Sequence, residues 1–193
     1  VNRSFITYHC VFMPPFTPIF IPGLLCTEFL FAKQRATLSN AGLIGDTRQH
    51  DSINEMAQVA LDQCTGALLP VGLSMGGYVA LEMARLAPER IAGMALLSTN
   101  AGVDNYERAN ERRQSIKLST RKGFKGITRS FLLQLISKTA PVDPVLADNI
   151  LAMASDVGPV AFVRQQTAIL SRRDQRDTLA DFGAPLLILC GTS

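Results

Sequence analysis

The sequence predicts an α/β fold, a mostly parallel sheet flanked by helices, and three observations carry the prediction. Short apolar runs alternate with segments of helical period, the pattern of strand-helix-strand units. The 193 residues are 47% hydrophobic and 18% charged, enough to bury one core without disulfides or metal. A glycine-rich junction near residue 74 joins a strand pattern to a helix pattern.

Taken in order, Pro18–Ile21 reads as a buried strand ending at Pro22-Gly23, after which Thr27 caps a helix reaching about Ser39. Ala41–Gly45 is a second short strand. Ser52-Ile53-Asn54-Glu55 forms a capping box, and the helix it opens runs to about Cys64, with Ile53, Met56, Ala60 and Cys64 on one face. Ala67–Leu73 is the third strand, although Pro70 conflicts with a central position because proline cannot donate to a ladder. A small-residue helix follows from Met75 to Ala87, then a strongly apolar strand from Ile91 to Ser98.

From about residue 100 to 181 the pattern is helical: Tyr106–Leu118, Phe124–Ser137, a start at Asp143-Pro144 with proline in the first turn, and Pro159–Leu170. This stretch reads as a helical cap inserted after the strand at 91–98. Leu186–Cys190 restores the sheet. The expected organisation is one domain over 1–193, with core at 17–99 and 182–193, cap at about 100–181, and the last strand or strands and helices missing. The strand at 186–190 would then form a sheet edge with an exposed apolar patch.

Composition narrows the function classes. Nineteen Lys and Arg against sixteen Asp and Glu give +3 without a long basic run, so neither nucleic acid nor an anionic membrane is expected as a partner. Arg108, Arg112, Arg113, Lys117, Arg121 and Lys122 read as a solvated helix face. Two histidines, His9 and His50, exclude a histidine-rich metal site. Cys10, Cys26, Cys64 and Cys190 form no close pairs and are expected as buried, inert thiols in a reducing compartment. Ser4 to Thr27 carries no charge, but Pro14, Pro15, Pro18 and Pro22 break any spanning helix or signal core, which points to the cytoplasm.

Gly72-Leu73-Ser74-Met75-Gly76, followed by Gly77, is a G-x-S-x-G pattern between strand and helix, the context of a nucleophile elbow. A sharp turn strains the serine backbone and projects its hydroxyl, with glycines on either side leaving room for it. The helix start behind Ser74 supplies free amides for a developing oxyanion. A glycine-rich packing turn with Ser74 as a simple cap is the alternative. No G-x-G-x-x-G fingerprint for a dinucleotide exists, and no cofactor is expected. Phe131, Leu132, Leu135, Ile136 and Phe162 fall at helical spacing and read as the interior or underside of the cap.

With these residues, Pro22-Gly23-Leu24-Leu25-Cys26, Asp46 to Ser52, Val71 to Gly77, and Pro88-Glu89-Arg90-Ile91 before Leu96 to Thr99, the chain resembles the α/β-hydrolase fold family from about Pro18 to Ser193. The resemblance is closest to small bacterial serine hydrolases with a helical cap. It implies Ser74 as nucleophile and the backbone amides of Met75 and Leu24 as oxyanion donors, acting on a small-molecule acyl substrate such as an ester. Relatives often carry histidine where this chain has Pro22. The family order of serine, acid, histidine puts the acid after the strand at 186–190 and the histidine later, both beyond Ser193, so the chain as given is expected to be weakly active or inactive. His50 is expected to line the pocket, His9 to be a surface or packed residue, and Asp104 to be a solvated loop aspartate, although some relatives carry their acid after that strand. A non-catalytic binding module, or an acyltransferase or thioesterase of the same fold, are the alternatives.

Overall fold

The computed structural model describes residues 16–38, 41–119 and 143–191. The expectations for His9, Cys10, the Phe124–Ser137 helix with Phe131, Leu132, Leu135 and Ile136, and the cations Arg121 and Lys122 lie outside the described residues. Five parallel strands, β1 (Phe16–Ile21), β2 (Leu43–Ile44), β3 (Ala67–Leu73), β4 (Met94–Leu97) and β5 (Leu186–Leu189), form one sheet in the order β2-β1-β3-β4-β5. The helices are α1 (Ala32–Thr37), α2 (Ile53–Asp62), α3 (Met75–Leu86), α4 (Tyr106–Ser119), α5 (Pro144–Ser171) and α6 (Arg176–Ala180).

Local chemistry accounts for the helix boundaries. Ser52 Oγ accepts the Glu55 amide at the start of α2, and the Asp143 carboxylate accepts the Val145 amide at the start of α5. The helix expected over 27–39 divides into a 3-10 turn, Glu28–Phe31, capped by Thr27, and the short α1. Gly158, at φ 70°, kinks α5 just before Pro159, where the sequence places the start of a separate helix, Pro159–Leu170. By length and composition α5 could cross a membrane, yet its inner face packs on the protein and carries the buried Gln165 and Gln166.

Pro70 occupies the central strand after all, paired with Ile19 of β1. Its conflict is relieved on the β4 side. Leu68 bridges Ile91 and Val71 pairs Ala95, so three steps along β3 match four along the opposing chain. The Leu68 carbonyl and the Ser74 amide both bond toward β4, and by the two-residue period Pro70 faces the same way. The missing amide therefore falls at this bulge, where the regular ladder is already interrupted. The bulge also explains why β4 begins at Met94 and not at Ile91.

The core lies where β1 and β3 meet α2, α3 and the end of α5, with Ile19, Ile21, Met56, Leu68, Met75, Leu81, Met83 and Ile169 among its members. α3 is buried over ten of its twelve residues, so it runs through the protein and not along its surface. β5 is the opposite case. It forms the sheet edge next to β4, and Leu186, Leu187, Ile188 and Leu189 are 37%, 53%, 60% and 55% exposed, the apolar patch expected there. The thiols correct one expectation: Cys26 and Cys64 are only partly exposed, but Cys190 is open to solvent.

Candidate active site

β3 ends at Leu73, α3 begins at Met75, and Ser74 between them has φ 53° and ψ −112°. This left-handed backbone is uncommon for a residue other than glycine. Three hydrogen bonds hold it: the Ser74 amide donates to Leu97 O at 2.9 Å, and Ser74 O accepts from the Gly77 amide at 3.0 Å and from Thr99 Oγ1 at 2.7 Å. The glycines fit for a reason that differs from the expected one. A β-carbon on Gly72 would overlap the Gly76 peptide, and one on Gly76 would overlap the Ile21 carbonyl of β1. They let α3 seat directly on the strand ends, and they do not merely clear the serine. The Ser74 hydroxyl is half-buried and hydrogen-bonds to none of the described residues.

The segment after β1 abuts this turn. A β-carbon on Gly23 would stand 3.5 Å from the Ser74 Cβ and 3.0 Å from Leu73 O. Gly23 O accepts the Cys26 amide at 3.1 Å, closing a β-turn with Leu24 and Leu25 at its centre. Leu25 has φ 58°, a conformation costing a side-chain-bearing residue about 1–2 kcal/mol. The amides of Leu24 and Met75 have no acceptor among the described residues. Two donors without an acceptor among the described residues therefore lie on the turns that meet at the serine, one on each.

What holds Leu25 comes from far along the chain. Its side chain packs with Ala154, Val157, Ala161 and Phe162 of α5. Its amide donates to Gln165 Oε1 at 3.1 Å, and Gln165 Nε2 donates to Thr47 O at 3.2 Å and Thr47 Oγ1 at 3.3 Å. Neither Gln165 nor Thr47 was singled out from sequence. The available signal was a pair of glutamines, Gln165 and Gln166, among the apolar residues Ala161, Phe162, Ala168 and Ile169.

Beside the turn a cavity of about 320 Å³ is lined by residues that include Pro22, Cys26, Gly45, Asp46 and Arg48, and this lining does not reach Ser74. Burial pushes the Cys26 thiol up to about 11, so at neutral pH it is not a nucleophile. His50 sits before α2 with Nδ1 3.4 Å from Glu55 Oε2; no hydrogen bond joins it to Ser74.

Asp104 is not a solvated aspartate. Its side chain is 5% exposed, with one oxygen 2.5 Å from Arg112 Nε and the other 2.9 Å from Arg172 Nη2. Burial alone would raise its carboxyl, but the hydrogen bonds from Arg172 and Arg112 outweigh that and hold it below the ordinary range. Arg172 also lies 4.3 Å over the Tyr78 ring of α3. Arg112, expected on a solvated face, is thus turned inward and also donates to Gln166. Glu82 of α3 is a second buried carboxylate, bound by Arg85, Asn54 and Gln175. Burial works against its ionised form, and those bonds more than offset it, so its carboxyl also lies low.

A parallel sheet with a left-handed serine between β3 and a buried α3, facing a glycine turn after β1, is the α/β-hydrolase fold, and the chain has that fold. The comparisons agree. A thermophilic esterase from Thermogutta terrifontis superposes with a TM-score of 0.81 at 24% identity, over 92% of this chain and 71% of that one. MenH from S. aureus gives 0.73 at 18% identity, over 92% and 75%. The enol-lactonase from Burkholderia xenovorans LB400 gives 0.66 at 19% identity, over 93% and 74%. In sequence, the chain is 26% identical over 149 residues to the pimeloyl-[acyl-carrier protein] methyl ester esterase of Yersinia enterocolitica, a match covering 72% of this chain and 56% of that protein. No protein-family model matches.

Proposed function

We propose that this chain carries the nucleophile and oxyanion site of a serine ester hydrolase. The observation behind this reading is the unbonded Ser74 hydroxyl on a left-handed turn, flanked by the free amides of Met75 and Leu24. Ser74 Oγ attacks the ester carbonyl carbon and forms a C–O bond, while the carbonyl electron pair moves onto oxygen. That oxygen accepts hydrogen bonds from the two amides, the larger share of stabilisation such a site provides. Collapse expels the alcohol with a proton and leaves an acyl-serine; water then adds, releases the acid and returns a proton to Ser74 Oγ.

The proton carrier is not supplied by the described residues. His50 is engaged with Glu55, and Asp104 and Glu82 are committed to arginines. The base and its acid belong in this reading to residues outside the described ones. Without them turnover falls by about four to six orders of magnitude while the oxyanion contribution remains. The sequence relative's name supports trying methyl esters of short acyl chains first.

The test is labelling of the full-length protein, its base and acid included, by a fluorophosphonate probe, with the modified residue located by mass spectrometry. Wild type should be labelled at Ser74 and Ser74→Ala should not. Equal labelling of both would show that Ser74 is not the nucleophile and would favour a binding module on the same fold.

A further inference from the structure

The Leu24–Leu25 turn is not self-supporting. A leucine at φ 58° reverts to an ordinary conformation unless its surroundings hold it, and the only hydrogen bond made by its amide among the described residues goes to Gln165. Gln165 is 0% exposed and 140 positions away in sequence. Its orientation is fixed by the partners: an amide N–H on one side needs an acceptor and the Thr47 carbonyl on the other needs a donor, which only the observed placement of Oε1 and Nε2 satisfies. The same helix grips the Leu25 side chain through Ala161 and Phe162. The Leu25 amide belongs to the peptide that follows Leu24, so fixing it fixes the turn that carries the Leu24 amide, which has no acceptor among the described residues.

We infer that Gln165 is a positioning residue, a buried clamp by which α5 holds the Leu24–Leu25 turn in the geometry that offers the Leu24 amide to an oxyanion beside Ser74. The inference rests on the serine hydrolase reading above for its catalytic consequence, but the clamp has a readout of its own. A side chain that acts through the turn changes the chemical step and not the encounter with substrate.

The experiment uses the full-length protein with Gln165→Met, which keeps length and removes all three hydrogen bonds, and Gln165→Glu, which restores one donor and one acceptor only when protonated. Two quantities are read: the concentration dependence of fluorophosphonate labelling, and hydrogen exchange of the Leu25 amide. Gln165→Met should slow the limiting labelling rate by about 10- to 100-fold, up to the loss of a single oxyanion donor, with the half-saturating probe concentration unchanged. Leu25 exchange should quicken at least about tenfold while α3 and β3 amides keep their protection. Gln165→Glu should approach the wild-type rate as pH falls and its carboxyl protonates.

Wild-type labelling by Gln165→Met would overturn the inference, whatever Leu25 does. So would slowing accompanied by faster exchange throughout α3 and β3, which is general loosening. If Gln165→Met does not fold, the pH-dependent rise of Gln165→Glu relative to wild type carries the test, and a flat ratio sinks it. Labelling of Ser74→Ala at the wild-type rate would instead overturn the nucleophile assignment, and Leu25 exchange would then decide the clamp alone.

Discussion

Two turns meet at Ser74, and each puts a residue other than glycine into the left-handed region: Ser74 at φ 53° and Leu25 at φ 58°. They are held in opposite ways. The serine turn is secured mainly by backbone, through Gly72 and Gly76 allowing close approach and through bonds to Leu97 O and the Gly77 amide, with one side-chain bond from Thr99 Oγ1. The leucine turn is secured by side chains of α5, with Gln165 bonding its amide and an apolar cluster enclosing its side chain. The first rests mostly on backbone packed against the sheet; the second takes its side-chain contacts from a helix far along the sequence, with Gln165 140 positions away.

The largest test of this contrast is Gly76→Ala. The added methyl overlaps the Ile21 carbonyl, which is sheet backbone and cannot step aside. Stability should fall by about 3 kcal/mol or more, measured by chemical denaturation, because β1 and α3 must separate. A loss under about 1 kcal/mol would mean that the serine turn is more pliable than its packing implies.

Asp104→Ala probes the other side. Removing the carboxylate leaves Arg172 buried and unpaired at the end of α5; breaking a fully buried pair costs about 3–5 kcal/mol, and the partial exposure of Arg112 lowers the expectation to about 2–3 kcal/mol. Hydrogen exchange at Leu25 should quicken more than at the amides of α3. Acid titration checks the same contacts without mutation. The folded Asp104 and Glu82 carboxyls lie below their ordinary values, so the unfolded chain binds these protons first as pH falls. Their stabilisation is complete above the ordinary carboxylate range near about 4, and is lost as pH drops from there through the lower folded values. The wild-type denaturation midpoint should fall in that window, and Asp104→Ala should fall less steeply.

The contrast also decides what could be read in advance. β3 was legible to the residue, Ala67–Leu73, and so were the strand-to-helix turn at Ser74, the Ser52 cap and the Asp143-Pro144 start, because each signal lies within a few consecutive positions. Pro70 was legible as a conflict but not as its solution, since the compensating bulge lies on the chain opposite. Asp104 was misread because its partners are 8 and 68 positions away, and nothing local marks a loop aspartate as buried. Gln165 was not read at all, and Thr47 only as a member of the Asp46–Ser52 loop; their bonds span 118 and 140 positions, and a glutamine on a helix carries no local instruction about what it will clamp.

A smaller effect is expected at Leu25. Leu25→Gly relieves a strain of about 1–2 kcal/mol but withdraws a buried leucine worth about 1.5–3 kcal/mol, so the net loss should be about 1 kcal/mol. Glycine frees a turn that leucine anchors, and the limiting labelling rate should therefore fall by more than the stability change suggests. A stabilised variant with an unchanged rate would mean that the turn needs no anchoring by α5.

The smallest effect tests whether the serine turn also depends on a side chain. Thr99 Oγ1 donates to Ser74 O at 2.7 Å, and its methyl and hydroxyl lie where a β-carbon on Gly77 would go. Thr99→Val keeps the shape and removes the donor, but Ser74 O retains the Gly77 amide, so the carbonyl is not left unsatisfied. A net loss of about 1 kcal/mol or less follows, with labelling slowed by less than Gln165→Met produces. If Thr99→Val slowed labelling as much as Gln165→Met, the serine turn would be held by a distant side chain just as the leucine turn is, and the difference between backbone-held and side-chain-held turns would fail at its stronger end.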